Sequence, residues 1–180
     1  MVLTQTPLSG AYVIALERLQ DERGFFARSY CRDEFARAGL DVEFVQSNVS
    51  FNAYSATLRG MHFQTEPYPE CKLVRCTMGA VYDVIVDIRP QSATRGDWFG
   101  VELSEENRVA VYVPGGFAHG FITLRDSSEV LYDMTEYYRP ECACSLHWND
   151  SDVGIDWPLQ PRLVSSKDES ASSLRGLLAA

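Results

Sequence analysis

The chain has 180 residues, of which 46% are apolar and 12% aromatic, enough for one globular domain with a sizeable core. A net charge of -9 argues against a general nucleic-acid binder, which needs a basic face. No apolar run reaches the ~18 residues of a membrane span.

Residues 1–12 lack a charged segment followed by an apolar one, so they do not read as a signal peptide. An odd cysteine count (Cys31, Cys71, Cys76, Cys142 and Cys144) without an export signal fits reduced thiols in a cytoplasm. No linker divides the chain, so residues 1–180 are expected to form a single domain. The first predicted element of note is a short helix over residues 33–38, stopped by Gly39.

A polar strand follows at residues 46–50. Next comes Leu58-Arg59-Gly60-Met61-His62-Phe63-Gln64, which puts a histidine close to a fixed cation. That pairing suits removal of a proton while negative charge is held nearby. Arg59 and His62 have opposite parity, so a regular strand would aim them at opposite faces. If both serve one site, Gly60 marks a bulge. Lys72, Val74 and Cys76 share a face of the next strand.

Residues 80–89 form the clearest strand. Ala80, Tyr82, Val84, Val86 and Ile88 make one apolar face. Val81, Asp83, Ile85, Asp87 and Arg89 make a mixed face suited to a polar lumen. A second histidine, His119, follows the Gly115-Gly116 turn. The last clear strand is predicted over residues 130–138, with Val130, Tyr132, Met134, Glu136 and Tyr138 on one face. The Ser-rich tail, 165–180, is expected to pack loosely. Many short strands, Gly/Pro turns and few helices point to an all-β, cupin-type jelly roll.

Metal-dependent cupins use a His-x-His pair, and here position 64 is Gln. His62 and His119 alone make a poor ligand set, so no metal is expected. Cys142-Ala143-Cys144 is too closely spaced for a zinc knuckle. Without a metal, His62 reads as a general base. Arg59 and Lys72 could hold an enolate oxygen or a phosphate. Tyr132 is a candidate acid. An aspartate should orient His62, and Asp83 and Asp168 both qualify. Arg23, beside a turn, could reach a phosphate.

Taken in order, a set of segments resembles the dTDP-4-dehydrorhamnose 3,5-epimerase family. They are Asp21-Glu22-Arg23-Gly24-Phe25-Phe26, Gln46-Ser47-Asn48, the His62 motif, Lys72-Leu73-Val74-Arg75, Asp83 to Arg89, Val113 to Phe121, Tyr132, Trp148-Asn149-Asp150, Gly154 to Pro158 and Ser166-Lys167-Asp168. The resemblance runs from about residue 10 to residue 170. It implies a cupin-fold homodimer with exchanged strands, no cofactor, and a nucleotide-diphosphate 4-keto-6-deoxyhexose as substrate.

By the same resemblance His62 is the base, paired with Asp168, and Tyr132 the acid on the opposite face. Lys72 holds the enolate oxygen. His119 and Asp83 are polar residues of the same pocket. Arg23 and Arg59 contact the diphosphate, with Gln46 and Asn48 nearby, and Tyr138 packs on nucleotide or sugar. Relatives that invert only C3 or only C5, or that use other nucleotides, share these motifs. A metal-dependent cupin and a non-catalytic sugar-nucleotide binder are the rival readings. The chain departs from the family at Arg28, commonly Glu and near the nucleotide site, at Phe63, often Tyr, and at Met61, often Leu.

Overall fold

Short alternating segments pair antiparallel to give thirteen strands in a computed structural model that describes residues 1–40 and 43–178. In chain order they are β1 (Val2–Gln5), β2 (Tyr12–Ala15), β3 (Leu19–Asp21), β4 (Gly24–Phe26), β5 (Gln46–Asn52), β6 (Leu58–Gln64), β7 (Lys72–Met78), β8 (Ala80–Asp87), β9 (Trp98–Ser104), β10 (Ala110–Val113), β11 (Phe117–Thr123), β12 (Ser128–Met134) and β13 (Ala143–Ser145). Helix α1 (Arg32–Arg37) precedes β5, α2 (Ser166–Glu169) follows β13, and a 3-10 turn covers Gly176–Leu178.

One sheet runs β1-β2-β10-β7-β12-β5 and the facing sheet β13-β6-β11-β8-β9, with β3 and β4 as a separate hairpin. Non-sequential neighbours in two facing antiparallel sheets are the jelly-roll arrangement expected from the sequence. Apolar side chains fill the space between the sheets. Val74, Cys76, Val111, Val113 and Val130 from one meet Val81, Ile85, Leu103, Phe117 and Phe121 from the other. Each such side chain, fully buried, contributes about 1.5–3 kcal/mol.

The two faces of β8 are both covered. Its mixed face turns inward, as Val81 and Ile85 join the inter-sheet core. Its apolar face packs Val84 and Val86 against Leu146, Val153 and Leu174 from the segment after β13. The expectation of a loosely packed tail therefore fails: Leu174 is buried and Asp168 is 3% exposed. Serine-rich composition did not register the few anchoring residues. The strand expected over residues 130–138 stops at Met134. Beyond it the backbone N–H groups of Tyr138 and Arg139 donate to the side chains of Gln46 and Gln64 instead of to a strand.

The expected bulge lies at Gly60. His119 pairs with His62, but Phe121 pairs with Arg59, so β6 spends one residue more than β11 over this interval. The extra residue restores common facing to Arg59 and His62. Gly60 has φ +137, and a Cβ there would sit 2.5 Å from the Gly120 Cα. Backbone atoms leave no room to yield. Gly60→Ala is expected to lower stability by about 2–4 kcal/mol, read as a reduced urea midpoint with an unchanged slope.

Candidate active site

Polar side chains from both sheets collect around a cavity of about 660 Å³. That is within the ~300–1,000 Å³ range of small-molecule sites. Arg59 and His62 on β6 and His119 on β11 line one wall, while Gln46 and Asn48 on β5, Lys72 on β7 and Tyr132 on β12 line the other. Tyr138 and Lys167 stand at its edge, both exposed. The lining holds three cations, Arg59, Lys72 and Lys167, against one carboxylate, Glu70. A chain of net charge -9 thus keeps a locally basic cavity suited to an anionic ligand.

His62 Nε2 donates to Asp168 Oδ1 at 2.6 Å, which leaves the lone pair on Nδ1. Of the two aspartates the sequence left open, Asp168 is therefore the partner. Helix α2 delivers it: Ser165 Oγ caps the helix by accepting from the Asp168 backbone N–H at 3.1 Å. Asp168 Oδ2 also accepts from Gly60 N–H at 3.4 Å, tying the dyad to the bulge. Burial pushes the Asp168 carboxyl up. The hydrogen bond and charge of His62, with Ser165 and the Gly60 N–H, outweigh it and hold the group below its usual range.

A second pair lies beside the first. His119 Nε2 donates to Asp83 Oδ2 at 2.8 Å, and both residues are buried. Asp83 sits behind His119 and is not part of the cavity lining. Across the cavity, Lys72 Nζ donates to Glu70 Oε1 at 2.9 Å and to the His62 carbonyl at 3.1 Å. Burial pushes the Tyr132 phenol above its ordinary value, with Arg59 opposing the shift and Glu70 adding to it. Arg59 Nε is steadied by Asn52 Oδ1 at 2.7 Å.

The wall of β5 has a fixed polarity. Tyr138 N–H donates to Gln46 Oε1, Gln46 Nε2 to Asn48 Oδ1 at 3.1 Å, and Asn48 Nδ2 to Met134 Sδ at 3.3 Å. Gln46 Nε2 also donates to Met134 Sδ at 3.7 Å, so the spare amide N–H for a ligand's oxygen is on Asn48. Arg23 is not brought to this cavity. It lies at the tip of the β3–β4 hairpin, 86% exposed in its side chain, and pairs with Asp21 at 2.5 Å. Arg28 pairs with Glu34 at 2.5 Å and does not line the cavity either.

Among the lining residues missed in the sequence are two charged ones and a serine. Glu70 sits just after Pro67 and Pro69, in a segment with no strand pattern to aim its side chain. Lys167 is adjacent to Asp168 in a motif from which only the aspartate drew notice. Ser50, whose buried hydroxyl has no hydrogen-bond partner, carried no signal. Among the described residues, no group of three or more His, Cys, Asp and Glu is placed to hold a metal ion.

Residues 5–176 match the family described as dTDP-4-dehydrorhamnose 3,5-epimerase. The chain belongs to that family. It is 45% identical over 174 residues to the dTDP-4-dehydrorhamnose 3,5-epimerase of Methanothermobacter thermautotrophicus, covering 95% of this chain and 93% of the relative. Its fold is similar, with a TM-score of 0.90 and 40% identity, to the Legionella pneumophila dTDP-6-deoxy-D-glucose-3,5-epimerase solved in complex with dTDP-4-keto-L-rhamnose, covering 97% of this chain and 93% of that one. It is also 36% identical over 172 residues to the dTDP-4-dehydrorhamnose 3-epimerase of Streptomyces niveus, covering 95% and 83%. No helix among the described residues is long and apolar enough to cross a membrane.

Proposed function

We propose that this chain is an isomerase that epimerises a dTDP-linked 4-keto-6-deoxyhexose by proton abstraction next to the C4 ketone and reprotonation from the opposite face. The observation that carries it is the placement of His62, backed by Asp168 from α2, on one sheet and of Tyr132 and Lys72 on the sheet facing it. A sugar ring held in the cavity then meets a base on one side and an acid on the other.

His62 Nδ1 takes the proton from the carbon, and the C–H electron pair moves into the C4 carbonyl to give an enolate. Asp168 fixes the imidazole and offsets the imidazolium charge. Lys72 faces the developing oxyanion. Tyr132 O–H then gives its proton to the carbon from the other face, and solvent restores both side chains. The ketone itself acidifies the C3 and C5 hydrogens, so the reading includes no metal or organic cofactor. Arg59 and the spare N–H group of Asn48 suit the diphosphate.

Proton NMR in heavy water, with dTDP-4-keto-6-deoxyglucose, tests the reading. Deuterium at C3 and C5 is the expected result. Deuterium at one centre marks a monoepimerase, and exchange at neither overturns the assignment.

The same reading places the chain in a cytoplasm as a homodimer. Leu19 and Phe26 on the β3–β4 hairpin are 69% and 72% exposed, an unusual outlay of apolar surface. A second copy that covers them can receive Arg23 at its cavity. Arg23→Ala is expected to raise KM about 10-fold with kcat little changed, and size-exclusion mass measurement should give a dimer. A fully active monomer would rule the exchange out.

A further inference from the structure

The Glu70–Lys72 pair is the part of the cavity that the proposed chemistry does not yet use in full. Its side chains are only 4% and 7% exposed. Burying an ion pair for stability is a poor bargain, because desolvation commonly cancels the attraction. A pair retained in a cavity wall therefore calls for another reason.

The geometry supplies one. Glu70 is gripped at both oxygens: Oε2 accepts the Gln64 backbone N–H at 2.9 Å and Oε1 accepts Lys72 Nζ at 2.9 Å. The segment that carries Glu70 is itself pinned by Gln64. That side chain donates to the carbonyls of Tyr68 at 3.1 Å and Tyr137 at 3.3 Å, and accepts from Arg139 N–H at 2.6 Å. The position where a metal cupin would carry its second histidine thus holds a staple between two loops. Lys72 makes a second bond to the His62 carbonyl at 3.1 Å. An ammonium has three N–H groups, so two are committed and one remains for the cavity that Lys72 lines.

We infer that Glu70 is a positioning residue for the reaction, locking the Lys72 ammonium so that its third N–H is presented to the C4 oxygen of the substrate. This rests on the epimerase reading above. Glu70 does not touch the reacting carbons; it acts through Lys72. A flexible four-carbon side chain left without that anchor would spread over several rotamers, and a donor misplaced by an ångström loses much of its effect on a transition state.

Glu70→Gln is the direct test, because it preserves the side chain's size and an acceptor for Gln64 while removing the charge. The readout is solvent-deuterium exchange on dTDP-4-keto-6-deoxyglucose, beside thermal unfolding to confirm the fold. The expected result is a kcat lowered about 10- to 100-fold, with KM within about 2-fold of the parent. Glu70→Asp, which keeps the charge, should regain part of the loss.

The decisive comparison is a cycle with Lys72→Met. If Glu70 works through Lys72, adding Glu70→Gln to Lys72→Met costs nothing further. Multiplying losses would overturn the inference, as would a Glu70→Gln enzyme with parental kcat or a Glu70→Asp enzyme no faster than Glu70→Gln. Failure of the parent protein to exchange would instead strike the epimerase reading itself.

Discussion

His62→Ala is expected to abolish deuterium uptake at the sugar carbons while leaving the protein folded. The imidazole side chain is 44% exposed at the cavity wall, so its removal takes little from the core. Its loss removes a group whose Nδ1 lone pair is free and whose ring is oriented by a buried carboxylate. A positioned general base is worth about 10²–10⁴ in rate. Asp168→Asn should approach the same deficit, since an amide can turn its N–H toward Nε2 and select the wrong tautomer. Undiminished exchange in His62→Ala would remove the histidine from the role of base.

Tyr132→Phe should separate two events that the parent enzyme couples. The base on β6 is untouched, so hydrogen at the sugar carbon still leaves and deuterium still enters. Deuterium then returns from the His62 side and restores the starting configuration. Exchange should persist while inverted product falls by about 10²–10⁴. Comparison of isotope uptake with product stereochemistry by NMR checks this, and parallel loss of both would refute the division of labour. The pH dependence has a definite sign. Burial raises the Tyr132 phenol above its ordinary ~10, so the acid form persists through neutral pH. Its loss should appear only as an alkaline limb above about pH 10.

Local patterns were sufficient for most of the sheet. The alternation of β8, the bulge at Gly60 and the common facing of Lys72, Val74 and Cys76 all follow from a side-chain period of two and the special freedom of glycine. The site was legible where a motif carried its chemistry within a few residues, as at His62 and His119. It was not legible where the fold supplies the partner. Asp83 and Asp168 could not be ranked because the true partner lies 106 residues from His62 and reaches it only through tertiary packing.

Glu70 shows a different limit. The two prolines before it, Pro67 and Pro69, mark its segment as irregular, as it is, but say nothing of where its carboxylate goes. Glu136 and Tyr138 kept the alternation of β12 going in the sequence, although two side-chain acceptors, Gln46 and Gln64, draw that backbone away from the sheet. Arg23 reads well as a phosphate ligand and yet lies outside the cavity of its own chain, paired with Asp21.

The seat of Asp168 has a consequence for how the enzyme comes into being. All thirteen strands precede α2 along the chain. On the ribosome the sandwich can therefore close around its cavity before the carboxylate has emerged. Such a nascent chain would have both sheet walls of its pocket in place, lack Lys167, and still hold a histidine with no preferred tautomer. Substrate could be captured before it could be turned over, and activity would switch on in a single late step when α2 docks against β6.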